Sequence, residues 1–319
     1  SKVSKDFGID VIFFDGRGGP PARGGGKTHK FYASMGKEVS DKAIELTVQG
    51  QTVSSNFGTV VAAQYNIEQL LHAGVHKELI DDQQTTFSES EEELMERLAA
   101  ESLRSYEKLK EHPAFLDYLV QVSPLRFYSE TNIGSRPARR GASTKIEFKD
   151  LRAIPFVGAW SQLKQNVPGF YGVGSAIRAI DEAGELERIA ELYNSNPFFK
   201  ALVDNCEMAM LKCDFTLTRF LVDDSEFGDI WRNIYEEFEL TKSYLLKISG
   251  KADLMEDYPV ERQSILMRER IMLPLVTIQQ YALTRLRRED ELPTDSKNSL
   301  EKLVVRCSFG IINAGRNSA

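Results

Sequence analysis

The sequence predicts a mostly helical protein with a few β-strands, a core sheet wrapped in helices whose loops hold a ligand. Three observations lead there. Apolar residues recur at spacings of three and four along most of the 319 residues, strand-like runs are short and few, and those runs lead into loops rich in Gly and Arg. Hydrophobic residues at 42% and charged residues at 27% are those of a soluble, folded chain.

The first element is a buried strand at 9–14, IDVIFF, short, apolar and ended by Asp15-Gly16. A glycine-rich loop follows to about Gly26. IELTVQGQTV at 44–53 reads as a second strand region, with β-branched residues around a turn at Gly50. Helical spacing then takes over. Residues 58–80 place Val60, Ala63, Ile67, Leu70, Leu71 and Val75 on one face; 88–112 open with Ser88 as cap and Glu91 three residues on, a capping box before an acidic first turn. TNIGSRPARRGASTK at 131–145 breaks the pattern as a loop, and LRAIPFVGAW at 151–160 reads as a short apolar strand. Long helices are expected at 224–249, 258–289 and 295–316, with Pro274 kinking the second or dividing it. No fixed-period repeat points to a solenoid.

The balance of 40 basic to 47 acidic residues, a net charge of −7, gives no bulk attraction for nucleic acid or an anionic membrane. The longest apolar runs, such as IMLPLV at 271–276, fall far short of the roughly 20 residues of a membrane-spanning helix. No secretory signal pattern opens the chain. Cys206, Cys213 and Cys307 are too few and too irregular for a disulfide framework or a zinc cluster; they read as packed hydrophobes in a reducing cytoplasm. His72 and His76 have a metal-like spacing but no acidic residue between them in an HExxH pattern, so they read as an exposed pair. The chain opens on Ser and reaches the first strand within a dozen residues, which suggests a piece of a longer protein.

Chemistry concentrates in FFDGRGGPPARGGGKTHKFY at 13–32. Its GGGKT can be laid over the end of a nucleotide-binding P-loop, but Pro21 then stands where the first Gly belongs, supplying no N–H and fixing φ. The strand also ends several residues too early. A nucleotide-binding loop is therefore set aside. Gly16, Gly18, Gly19, Gly24, Gly25 and Gly26 with Arg17 and Arg23 instead suggest a backbone that closes on a small anion. Arg136 in NIGSRPARR and Arg152 in DLRAIP stand beside turn or strand signals, and the guanidinium fork suits phosphate and carboxylate oxygens. Four arginines in three loops could converge on one multiply charged substrate. Arg139 and Arg140 read as solvated loop charges, and His29 as standing behind the residues that touch the anion.

FFDGRGGPPARGGGKTH, TNIGSRPARR, LRAIPFVGAWSQ and the terminal GRN, in this order and spacing, resemble phosphoenolpyruvate carboxylase along essentially the whole chain. The resemblance covers roughly the C-terminal third of a family member. It implies the C-terminal part of a β/α (TIM-like) barrel with an extensive helical region: 1–160 as the last barrel strands, catalytic loop and inserted helices, 161–319 as the helical region with an effector site. It implies Mg²⁺ or Mn²⁺, the addition of bicarbonate to phosphoenolpyruvate to give oxaloacetate and phosphate, and a cytoplasmic homotetramer. Arg17, Arg136 and Arg152 resemble the family's active-site arginines, and Arg23 that of its mobile glycine loop. Lys212, Arg268 and Asn317, with Arg23, resemble the site of the inhibitors aspartate and malate. Without the resemblance, Lys212 reads as a helix-surface lysine and Arg268 as part of a solvated face.

Departures from the family pattern are Asp15 where many members have His, the stiffening Pro20-Pro21-Ala22, and an Asn-Ser-Ala end where Asn-Thr-Gly is common. Asp15 is read as orienting an arginine. The family's catalytic histidine and metal-binding Glu and Asp lie upstream of the glycine loop, so this chain alone is expected not to turn over; a dicarboxylate-binding regulatory module is the alternative reading.

Overall fold

The computed structural model describes residues 2–9, 14–15, 28–34, 45–46, 51–79, 87–130, 148, 151–288 and 292–315. Two short strands, β1 (Phe14–Asp15) and β2 (Glu45–Leu46), pair in parallel, Phe14 opposite Glu45 and Asp15 opposite Leu46. Parallel neighbours need a crossover connection. The same part of the chain forms α1 (Lys2–Asp6), α2 (Thr28–Ser34), α3 (Gln51–Phe57) and α4 (Val60–Leu79). α2 falls within the crossover.

Helices then follow one another: α5 (Glu89–Lys110), α6 (Phe115–Val122), α7 (Ala153–Gln162), α8 (Val173–Glu182), α9 (Leu186–Ser195) and α10 (Pro197–Leu211). α11 (Gly228–Ser249), α12 (Pro259–Arg288) and α13 (Thr294–Gly315) complete the set.

Local chemistry starts and stops these helices. Ser88 and Glu91 form the expected capping box, the Ser88 N–H donating to Glu91 Oε2 at 2.8 Å and the Glu91 N–H to Ser88 Oγ at 3.3 Å. Asn196 accepts from the N–H groups of Phe198 and Phe199, each at 3.0 Å, with Pro197 at the first helical position. Gly250, at φ +68°, closes α11 in the left-handed conformation that favours glycine.

The core is aromatic at its centre. Phe115, Tyr118, Trp160 and Phe227 are all but sealed from solvent; Trp160 is tilted against Phe115 and stacked on Tyr118, which meets Phe227 edge-on. α8 packs between α5 and α11; Gly174 lets the backbones of α8 and α11 meet closely, its N–H donating to Thr241 Oγ1 at 2.9 Å. α12 and α13 pack along their length through Met272, Val276, Leu283, Val304, Cys307 and Ile311.

Several expectations are corrected. LRAIPFVGAW is helix from Ala153, not strand: a short apolar run has no distinguishing period, and Pro155 falls in the first helical turn, where its missing N–H costs nothing. Of the 44–53 strand region, Glu45–Leu46 is strand but Gln51–Val53 begin α3, which packs on α4 instead of joining a sheet. α12 is not divided at Pro274, which lies on its exposed side, where water can serve the carbonyl left without a donor. Residues 10–13 of the first predicted strand and the 131–145 loop lie outside the described residues, as do Arg139 and Arg140.

α4 forms where its spacing predicts, yet its apolar face is exposed, Val60 at 82% and Leu71 at 62%. No described helix is long and apolar enough to cross a membrane.

Candidate functional site

The chain leaves α7 through a turn that few residues favour. Lys164 (φ 58°) and Asn166 (φ 39°) both occupy left-handed backbone without being glycine. Four hydrogen bonds hold the turn. The Asp214 N–H donates to the Lys164 carbonyl at 2.8 Å, the Asn166 side chain donates to the Ala209 carbonyl at 3.1 Å, and the Gln165 amide donates to Tyr118 Oη at 2.7 Å and to Thr218 Oγ1 at 3.1 Å. The turn is thereby seated against the end of α10.

That seating aims Lys164 inward. Its Nζ lies 2.7 Å from Glu269 Oε1 on α12, with side-chain exposures of 3% and 11%. Glu269 is preceded by Arg268, whose Nη1 is buried without a hydrogen-bond partner, as is Glu269 Oε2. Burial pushes the Glu269 acid up despite Lys164, and burial draws the Arg268 guanidinium down.

Lys212, the residue that ends α10, completes the group. Burial lowers its ammonium to about 8; the charges of Lys164 and Arg268 push the same way and that of Glu269 opposes them. Lys164 and Arg268 therefore both bear on Lys212 here. Glu269 already serves Lys164, and Asp214 is committed to the Thr216 N–H and hydroxyl. Cationic charge in excess, partly desolvated and with a buried donor unused, suits a small oxyanion. Cys213 beside it is no nucleophile, its thiol pushed up to about 12 by burial.

Of the residues marked by sequence, Lys212 and Arg268 come together in this cluster. Arg152 stands at the other end of α7, as its N-cap, with Nε buried and without a hydrogen-bond partner. A helix of 10 residues separates Arg152 from the Lys164 turn by about 15 Å. Arg17, Arg23, Arg136, Asn317 and Gly16, Gly18, Gly19, Gly24, Gly25 and Gly26 lie outside the described residues; Asp15 is described only as backbone, in β1. Lys164 and Glu269 were not marked by sequence. The available signal was a lysine set in the apolar stretch AWSQLKQNVPGF.

Fold and site together define a helix-rich protein with a buried cationic cluster where the ends of α7 and α10 meet the side of α12. A family profile described as phosphoenolpyruvate carboxylase matches residues 1–318, and the chain belongs to that family. It is similar to the phosphoenolpyruvate carboxylase of Corynebacterium efficiens, 37% identical over 321 residues, covering 97% of this chain and 34% of that protein. The Corynebacterium glutamicum protein is 34% identical, with 99% of this chain and 35% of the relative covered. That of Trichormus variabilis is 35% identical, with 90% and 29%. The chain spans about a third of the length of these curated relatives.

Proposed function

We propose that this chain is the C-terminal third of an enzyme that carboxylates phosphoenolpyruvate with bicarbonate, yielding oxaloacetate and phosphate. The observation that carries the reading is the family match over residues 1–318. Bicarbonate oxygen attacks phosphorus, giving carboxyphosphate and the enolate of pyruvate; carbon dioxide released from carboxyphosphate then bonds to the enolate carbon. Negative charge grows on phosphoryl oxygens and on the enolate, and fixed guanidinium groups stabilise both. Arg17, Arg136 and Arg152 take that role, with Arg23 supplied by the glycine-rich segment. The buried, unpartnered Arg152 Nε supports this by leaving a donor for a ligand. Residues 1–160 contribute the last strands of a β/α barrel and 161–319 the helical region; the parallel pairing of β1 with β2 agrees with such a unit.

Mg²⁺ or Mn²⁺ would polarise phosphoryl or enolate oxygen. The family resemblance places its Glu and Asp ligands upstream of the glycine-rich segment, outside this chain. The 319-residue chain alone is inactive on this reading. Lys212, Arg268, Asn317 and Arg23 form the aspartate and malate site, and the complete enzyme is a cytoplasmic homotetramer.

The test is bicarbonate-dependent oxaloacetate formation by the complete polypeptide with Arg17→Ala and Arg152→Ala. Each should lose about a hundredfold or more, the scale of a lost transition-state donor. Rates equal to the parent in both would overturn the assignment. The second reading, a dicarboxylate-binding module without chemistry, is favoured by the cluster at Lys212 and Arg268. Calorimetry of the folded chain with aspartate decides it, absence of heat at millimolar concentrations arguing against an autonomous site.

A further inference from the structure

A second group of buried ionisable side chains ties α10 to the start of α12. Glu207 on α10 is fully buried; Oε2 accepts from the Met255 N–H at 2.6 Å and Oε1 lies 3.3 Å from Lys251 Nζ. Met255 stands at φ 56°, backbone that methionine disfavours, and the carboxylate on its N–H helps to hold it there. Lys251, only 7% exposed, also pairs with Asp257 at 3.0 Å. Three residues before Glu207, Asp204 accepts from the hydroxyl of Tyr258, the residue that precedes α12.

A third element reaches the same tyrosine. Lys30 of α2 places its Nζ 3.5 Å from the centroid of the Tyr258 ring and 3.8 Å from Glu261 in the first turn of α12. α2, with Tyr32 and Ser34 buried, packs on α10. Tyr258 is thus held on its hydroxyl by one helix and on its face by another.

The clamp sits at a fixed distance from the anion site. Asp204 on α10 stands 8 residues before Lys212 at its C-cap, and Tyr258, just ahead of α12, stands 10 before Arg268. At the rise of an α-helix both intervals are about 12–15 Å, so the clamp and the cluster hold the same two helices at two separate levels. A slip of α12 on α10 at Tyr258 would move Arg268 relative to Lys212 by a similar amount, because helices are rigid over three turns.

We infer that Tyr258 is a positioning residue of the anion site: pinned by Asp204 and covered by Lys30, it sets the register of α12 on α10 that lets Lys212 and Arg268 serve one ligand. The inference rests on the reading of that cluster as the dicarboxylate site. It also gives α2, which follows directly on the glycine-rich segment in sequence, a point of attachment to the same pair of helices.

The experiment titrates aspartate calorimetrically into the complete polypeptide and its Tyr258→Phe, Lys30→Met and Lys30→Arg variants, each also followed by thermal unfolding. Tyr258→Phe keeps the ring and removes the bond to Asp204; it should weaken aspartate about fivefold. Lys30→Met should weaken it about threefold and Lys30→Arg restore it, since arginine keeps a cation over the ring. A role in stability alone would lower the unfolding temperature and leave the affinity of the folded protein unmoved. Parent-like affinity in both Tyr258→Phe and Lys30→Met, with both folded, overturns the positioning role and leaves the site standing. Absence of aspartate binding by the parent overturns the site and the positioning role together.

Discussion

Lys164 and Glu269, 105 residues apart in sequence, meet at 2.7 Å with both side chains nearly sealed from water. Attraction between them is set against the cost of removing two charges from water, and the upward push on the Glu269 acid indicates that desolvation is the larger effect. Lys164→Met or Glu269→Leu alone leaves the partner charge buried and should cost about 3 kcal/mol in urea unfolding. The double variant should recover most of that loss. Simple additivity of the two single losses would contradict this account.

Lys212 makes a pH prediction. Its ammonium is lowered to about 8 in the folded chain from an ordinary 10.5, so between these values the unfolded state binds more protons. Stability from this group therefore rises with pH across that window, as the penalty for burying its charge is relieved; below about 8 the penalty is present in full. The stability difference between parent and Lys212→Met should shift in favour of the parent by on the order of 2 kcal/mol from pH 8 to 10. Anion affinity should run the other way and fall above pH 8, because the ligand requires the cation. A stability difference independent of pH would sink this assignment.

The long C-terminal helices were legible because their causes are local. Expected spans of 224–249, 258–289 and 295–316 compare with 228–249, 259–288 and 294–315, and the Ser88–Glu91 box could be read from two residues. α7 was misread because LRAIPFVGAW has no polar position after Arg152 to reveal a period. The cluster was legible only in part. Lys212 and Arg268 were reached through resemblance alone, and Lys164 not at all: its role depends on a left-handed turn and on a partner in another helix, neither of which is written nearby.

Gly174 is a position where packing leaves no room. A Cβ built there would lie 2.5 Å from the Thr241 backbone nitrogen, while Glu237 one turn earlier on α11 accepts from the N–H groups of Gly172 and Ser175, each at 3.0 Å. Gly174→Ala must push α8 off α11 and strain these caps as well. The expected loss is about 2–3 kcal/mol in chemical unfolding, whereas Gly74→Ala, inside α4 where a Cβ meets nothing within 4 Å, should gain up to about 1 kcal/mol. Equal effects at the two glycines would show that the helix contact yields freely.

The exposed face of α4 predicts how the 319-residue chain behaves in solution. Val60, Val61, Tyr65, Ile67, Leu71 and Val75 are each about half exposed or more on a single helix. Contiguous apolar surface of this kind binds hydrophobic dyes and promotes association. The folded chain should enhance anilinonaphthalene sulfonate fluorescence, and Ile67→Lys with Leu71→Lys should remove most of the enhancement. Because both side chains are solvent-exposed, the double variant should change unfolding stability by only about 0.5 kcal/mol. Dye binding that survives the double variant would place the apolar surface elsewhere on the molecule.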